Sequence, residues 1–413
     1  GISTQSTTTN LLEPFQKINN QVLSLHNHFF FGNSKLDADF GYVVNDRQEF
    51  EEHEDEADHH EEETAALRMK LKTFSYNLKY HLPTKKKLAT LIGVQGMWQT
   101  NTNFGEEILI PNAKINDFGI FVTTNYPFND SNTLQAGIRF DTRSINTEKH
   151  EVTHDNDTHV FNAIDKSYNS FAASLGYKTL LFNQVNTRIN IATGFRAPNL
   201  AELTSNGIHH GANRFEEGNN NLKNEKNLQL DISLEYSTEH FEIFANGFHN
   251  AITNYIYIAP TGTIEDGAPV YTYIQNNAKL YGGEFGFHLH PHPLDWLHLE
   301  SSFETVIGKQ HNGNYLPLIP ANTWKNTLRT EFGIKNWLQQ GYASLSLQST
   351  FAQEKISTFE TKTPNYNLLN LGLGGSIQLG STKFNTTLSI NNVFDIKYIN
   401  HLSRLKSNNI LNA

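Results

Sequence analysis

The sequence predicts an all-β fold, one large antiparallel β-barrel that crosses a membrane. Three observations lead there. Apolar residues recur with a period of two along almost the whole chain, and hardly anywhere with the helical period of about 3.6. About sixteen such segments can be counted, many of them roughly 10–15 residues long, where a strand in a soluble domain averages about 5–6. The connections between them alternate strictly between short and long.

The segment LQLDISLEY shows the first pattern. Leu228, Leu230, Ile232, Leu234 and Tyr236 fall on one face, and Gln229, Asp231, Ser233 and Glu235 on the other. Thr187–Thr193, Leu88–Trp98, Tyr342–Thr350 and Lys383–Asn391 repeat it. Short connections are expected at Gly32–Asn33, His81–Lys87, Pro127–Ser131, Asn183–Gln184, Ser237–His240, Pro291–Asp295, Lys335–Trp337 and Gly380–Thr382. Long ones are expected at Asn45–Ala65, Asn101–Asn112, Asn146–Tyr168, Gly194–Lys226, Ala259–Val270, Gly308–Thr323 and Gln353–Pro364. Sorting of this kind is the habit of bacterial outer-membrane barrels, with turns in the periplasm and loops outside the cell. Trp98, Tyr126, Tyr255, Tyr257, Trp296 and Trp337 gather at segment ends, where the headgroup girdles of a barrel lie.

Composition agrees and excludes other classes. Over 413 residues the hydrophobic fraction is 38% and the aromatic fraction 12%, and no run approaches the roughly 18 apolar residues of a membrane helix. A mean hydropathy of −0.50 does not argue against lipid, because a barrel strand spends only every second residue on the bilayer. With no cysteine there are no disulfides and no thiolate metal ligands. A net charge of −10 makes nucleic acid an unsuitable partner. The chain opens at Gly1 with a Thr/Ser-rich stretch and not at an initiator Met, so a preceding segment is expected.

GFRAPNLAEL (Gly194–Leu203) followed by GNNNLKNEK (Gly218–Lys226) resembles paired blocks of TonB-dependent outer-membrane receptors, although Asn220 and Asn224 stand where that family commonly has proline. Gly93–Pro111, Leu134–Arg143 and Ser389–His401 resemble the same family, the last being similar to a penultimate barrel strand. The resemblance implies a barrel of the 22-stranded type, here incomplete, lacking the N-terminal plug, a few early strands and the closing strand. It implies the outer membrane of a Gram-negative bacterium, a monomer in lipid, and import of a metal ion or metal complex. Energy would come from the TonB–ExbB–ExbD complex, contacted through a region before Gly1. No catalytic cofactor is implied, and no phosphate-binding loop is present.

The cargo is a question for the 19 histidines. His53, His59 and His60 fall in one external loop, His150, His154 and His159 in a second, His209 and His210 in a third, and His311 in a fourth. EFEEHEDEADHHEEE (Glu49–Glu63) mixes imidazole with carboxylate, the donors that Zn²⁺ takes when thiolate is absent. A solvated acidic loop with incidental histidines is the alternative. HEVTHDNDTH adds Asp155 to its three histidines. Adjacent residues such as His209 and His210 point to opposite faces of a strand, but Gly207 and Gly211 permit a turn that brings both to one ion. This HHG segment resembles the zinc-import branch of the family and also sits where haem receptors carry a haem-ligating histidine. Haem calls for an axial His in an apolar pocket, zinc for nearby carboxylates. Glu216, Glu217, Glu106 and Glu107 favour zinc, with haem or a siderophore complex as alternative.

His288, His290 and His292 run into a short turn at i, i+2, i+4, and either chelate an ion leaving the barrel or serve as lumen-facing polar residues. Arg196 is expected to pair with a lumen carboxylate such as Glu202. An outer-membrane enzyme would need a nucleophile elbow or a separate His/Asp set, and neither is visible. A passive porin would have no use for the paired family blocks. In full-length protein, changing His53, His59 and His60 together to Ala is expected to lower zinc affinity in calorimetric titration. Unchanged affinity and uptake would leave that loop a solvated acidic segment.

Overall fold

In a computed structural model the chain is described over residues 15–50, 65–105, 107–154, 157–209, 212, 214–335 and 337–403, with side chains at 153–159 left aside. It is one antiparallel meander. Its strands are β1 (Phe15–Phe31), β2 (Ser34–Phe50), β3 (Leu67–His81), β4 (Ala89–Asn103), β5 (Ala113–Pro127) and β6 (Thr133–Thr147). After an outlying hairpin, β7 (His150–His154) and β8 (Asp157–Phe161), come β9 (Asp165–Leu181) and β10 (Val185–Arg196). A short helix, α1 (Leu200–Thr204), and a second hairpin, β11 (Asn206–His209) and β12 (Arg214–Glu217), precede β13 (Glu225–Ser237), β14 (Phe241–Glu265) and β15 (Ala268–Leu289). The run ends with β16 (Leu297–Gln310), β17 (Thr323–Ile334), β18 (Leu338–Thr350), β19 (Tyr366–Leu379) and β20 (Thr382–Ile390).

Eighteen strands form one sheet. Setting aside β11 and β12, which join it through a parallel pairing of Phe215 with Val270, each strand pairs antiparallel with the next in the meander, for example β6 with β9 and β10 with β13. Among the described residues β1 and β20 are not paired with each other, so the sheet has an open seam. Both border strands are exposed along almost their whole length. The all-β barrel wall expected from the period-two pattern is therefore present, and it is incomplete, as the family resemblance implies.

The alternation sorts two environments. In β13, Leu228, Leu230 and Leu234 are exposed, beside Ile189 and Ile191 on β10. Gln229, Asp231 and Ser233 instead line a cavity with Arg188, Asn190, Glu284 and Glu304. The first set is the lipid-facing surface and the second the lumen. Arg143 forks onto Asp117 with bonds of 2.7 and 2.6 Å, and Arg139 pairs with Asp141 and Gln95, in the same polar interior.

Turns and loops fall at opposite ends as expected, with three differences. Strand β2 continues to Phe50, six residues into the segment read as a long loop. Ala259–Val270 is no loop, because β14 and β15 run on as a hairpin to a turn at Asp266 and Gly267, with bulges that absorb the extra length. Ser389–His401 leaves the ladder after Ile390: Asn392, with φ of 52°, exchanges 2.9 Å bonds with Ile396 in both directions and closes a loop.

Arg at the bilayer midplane costs about 2–4 kcal/mol on a lipid face. Leu230→Arg is expected to destabilise the full-length receptor in vesicles by that order, and Ser233→Arg far less, as read by urea unfolding. Equal losses would contradict the assignment of the two faces.

Candidate metal-capture site

At the loop end a small core packs together. Ala113, Ile115, Ile145 and Ile164 meet Leu200 and Leu203 of α1, with Leu222 and Ile256. Helix α1 is held despite its five residues because Asn199 caps it: its side chain accepts from Glu202 N at 2.8 Å, while the Glu202 carboxylate accepts from Asn199 N at 2.9 Å. Arg196 then bonds both Glu202 oxygens, at 2.9 and 2.8 Å, and forks onto Glu225 at 2.7 and 3.0 Å. The expected Arg196–Glu202 pair is present, and Glu225, invisible as a partner in sequence, doubles it. The second block is explained by packing. A Cβ on Gly218 would stand 2.4 Å from Thr204 N, and Asn224 uses its amide on Asn169 O at 3.1 Å and Ser170 Oγ at 2.7 Å, bonds a proline could not make.

Upon this base the ligand-rich segments converge. Ala66, which follows the acidic segment, accepts a bond of 2.9 Å from Glu107 N. Leu109, in the same 105–111 loop, accepts one of 3.1 Å from Asn206 N at the start of β11. Strand β11 in turn lies against β8 of the 150–161 hairpin. In that hairpin the register pairs His150 with Phe161, Val152 with His159 and His154 with Asp157. His150 is exposed. His53, His59, His60, Glu106, Asp155 and His210 lie outside the described residues.

His209 and Glu216 come into direct contact, Nδ1 to Oε1, at 2.8 Å. Two further groups grip the same carboxylate. Arg214 donates from Nε and Nη2 at 2.9 and 2.7 Å, and the Tyr273 hydroxyl donates to Oε2 at 3.0 Å. Burial alone would raise the Glu216 pKa, but the bonds from His209 and Arg214 and their charges outweigh it and lower it to about 2. Burial, with Glu216 beside it, pushes the Tyr273 phenol up, so it stays a donor. Arg214 also lies over the Tyr271 ring at 5.2 Å. Sequence reading missed Arg214 and Tyr273, since only the parallel pairing of β12 with β15 brings Tyr273 to Glu216. His311 sits apart from the group, its N–H bonded to Asn277 O at 2.8 Å after β16.

Residues 3–393 match the family model described as TonB dependent receptor-like, beta-barrel. The chain belongs to the TonB-dependent receptor family. It is similar to the iron-regulated outer membrane virulence protein of Vibrio cholerae, 28% identical over 232 residues, or 51% of this chain and 34% of that protein. Similarity to the ferrienterobactin receptor of Escherichia coli is 24% over 257 residues, 58% of this chain and 30% of the relative. The matches thus span about a third of each curated relative. In fold, the copper transporter OprC superposes with a TM-score of 0.74 at 17% identity, over 94% of this chain and 62% of its own. The FrpB iron transporter of Neisseria meningitidis gives 0.68 at 14% identity, over 94% and 60%. The family is one of outer-membrane receptors and transporters, not of enzymes.

Since Glu216 has a lowered pKa, its stabilisation is full above the unfolded carboxyl value, about 4.3, and is lost as pH falls towards about 2. Glu216→Gln is expected to cost the β11–β12 hairpin about 2–3 kcal/mol of local stability. It should also erase the acid dependence of amide exchange at Phe215. Exchange that still accelerates below pH 4 in the variant would show another group to be responsible.

Proposed function

We propose that this chain is the barrel wall of an importer that captures a metal ion or metal complex on its extracellular loops, with zinc the favoured cargo. The observation that carries the proposal is the convergence of the 105–111 loop, the β7–β8 hairpin and the β11–β12 hairpin at one end of the barrel. With Nδ1 of His209 engaged by Glu216, Nε2 is the nitrogen left for a metal, the arrangement in which a carboxylate orients a ligating imidazole. Glu216, fully used by His209, Arg214 and Tyr273, acts in this reading as the orienting group, and His210, His150, His154, His159 and Asp155 supply further donors. Glu106, Glu107 and the acidic segment with His53, His59 and His60 concentrate the cation before it is bound.

The loops face outside the cell and the short turns the periplasm. After capture the ion passes to the lumen, and a plug moved by the TonB–ExbB–ExbD complex opens the way. No bond in the cargo is made or broken. An iron–siderophore cargo is the second reading, favoured by the names of the relatives. Ferric siderophores are commonly anionic, however, and the Glu/Asp-rich loop would repel them. The polar surroundings of His209 suit haem poorly.

Metal-binding imidazole must be neutral, so affinity should fall as pH drops through the usual histidine range, about 6.5. Replacing His209 and His210 with Ala in the complete receptor is expected to weaken Zn²⁺ binding and flatten that dependence between about pH 5 and 8, while heat-modifiable gel mobility stays normal. Parent-like zinc binding across that range, or tight binding of a ferric catecholate with none of zinc, would defeat the zinc assignment.

A further inference from the structure

The opposite end of the barrel carries a second concentration of imidazole, at the short turns between β13 and β14 and between β15 and β16. His240 precedes β14, His288 ends β15, His290, His292 and Asp295 form the next turn, and His298 opens β16. His288 has the parity of Glu284 along β15, and His298 that of Glu304 along β16, so both lie on the lumen face. The rings stand against one another. Centroids are 5.4 Å apart for His240 and His290, 5.6 Å for His240 and His292, 5.3 Å for His288 and His290, and 5.4 Å for His290 and His298.

Polar lumen residues ordinarily satisfy one another, as Arg143 and Asp117 do. Here they do so only in part. His288 Nε2 meets His298 Nδ1 at 3.0 Å, and His292 Nδ1 meets Asp295 Oδ2 at 3.2 Å. Nδ1 of His240 and Nε2 of His298 are buried with no hydrogen-bond partner among the described residues. Their nearest carboxylate oxygens are ion-pair distances away, 3.4 Å to Asp295 and 3.7 Å to Glu331. The neighbouring guanidinium, Arg329, is taken up by Glu331 at 2.8 Å. Leaving a buried nitrogen without a hydrogen bond is unfavourable, and each of these two stands near a carboxylate, so a cation shared between nitrogen and carboxylate would satisfy both.

One ligand atom from each of His240, His290 and Asp295 can be chosen so that all lie within 4.8 Å of one another. Donors around a tetrahedral zinc, with bonds of about 2.0–2.1 Å, are separated by roughly 3.3 Å, so a small inward movement of three rim side chains closes the site. We propose that this rim binds a divalent transition-metal ion of the zinc type through His240, His290 and Asp295. His292, exposed, beside the His240 ring and bonded to Asp295, supplies the fourth donor. Imidazole with one carboxylate and no thiolate selects Zn²⁺, Ni²⁺ or Cu²⁺ over Ca²⁺ or Mg²⁺. His288 and His298, stacked at 5.2 Å, lie next to it on the lumen wall and offer a neighbouring step for an ion arriving from the lumen. The site lies at the short-turn end, away from the loops, and holds whichever cargo the loops receive.

The test uses full-length receptor in detergent, titrated calorimetrically with Zn²⁺ alone, in the parent and in a background carrying His209→Ala and His210→Ala. Adding His240→Ala with His290→Ala should remove one zinc equivalent, or weaken it at least about tenfold, in both backgrounds. With Cu²⁺ as the probe, electron paramagnetic resonance of the loop-variant background should show nitrogen hyperfine structure that the rim variant loses. Should the alanine pair fail to give the heat-modifiable folded band, His290→Gln with Asp295→Asn takes its place. Unchanged stoichiometry, affinity and copper spectrum in either folded rim variant would overturn the proposal. Loss of every zinc equivalent on changing the loop histidines alone would overturn the rim site and leave the loop reading standing.

Discussion

Within hydrocarbon no water is available to a backbone amide, and every N–H and C=O must find its partner in the protein. The rest of this structure depends on that constraint. It turns the chain into an uninterrupted antiparallel meander, each strand satisfying the next. It also allows a polar chain to live in lipid, since only alternate side chains touch the bilayer. The exposed borders β1 and β20 are where the constraint is left unmet by the described residues, and they mark where neighbouring strands belong.

Above the bilayer, order has to come from side chains. Arg196 is the hub at the loop end, tying the last residue of β10 to the cap of α1 through Glu202 and to the first residue of β13 through Glu225. The two carboxylates are largely buried and the guanidinium is partly exposed, so water screens the network in part, but four bonds fix its geometry. Around it the long connections are tied together: the 105–111 loop bonds to Ala66 and to β11, β12 pairs with β15, and β11 lies against β8. Loops far apart in the chain thereby present their donors over one end of the lumen.

The two ends of the barrel treat imidazole differently. At the loop end His209 is oriented by a carboxylate that is itself clamped by Arg214 and Tyr273, which gives a positioned nitrogen. At the turn end five histidine rings crowd together, and two buried nitrogens lack a hydrogen-bond partner among the described residues. The first arrangement suits selection of a ligand. The second suits holding an ion briefly on its way through, where several weak donors are of more use than one rigid set.

Much of the barrel was legible in sequence because its causes are local. The side-chain period of a strand follows from backbone geometry, so Leu228 to Tyr236 reveals a strand with one face in lipid, and the polarity of a connection reveals its length. The paired blocks around Gly194 and Gly218 were equally readable, and so was Arg196 with Glu202, six residues away. Local pattern failed where two alternatives share it: Ala259–Val270 reads as a loop, yet Ala259, Pro260, Ile264 and Glu265 pair across a hairpin from which Thr261, Gly262 and Thr263 bulge, and the Asn392 side chain follows the end of a strand by bonding the backbone of Ile396. Which histidines meet is not written in spacing at all. His209 finds Glu216 through a hairpin, Tyr273 arrives by a parallel pairing some 57 residues away, and His240 reaches His290 only because β14 and β15 are neighbours. Register between strands sets those meetings, and register is a property of the assembled sheet, not of any one segment.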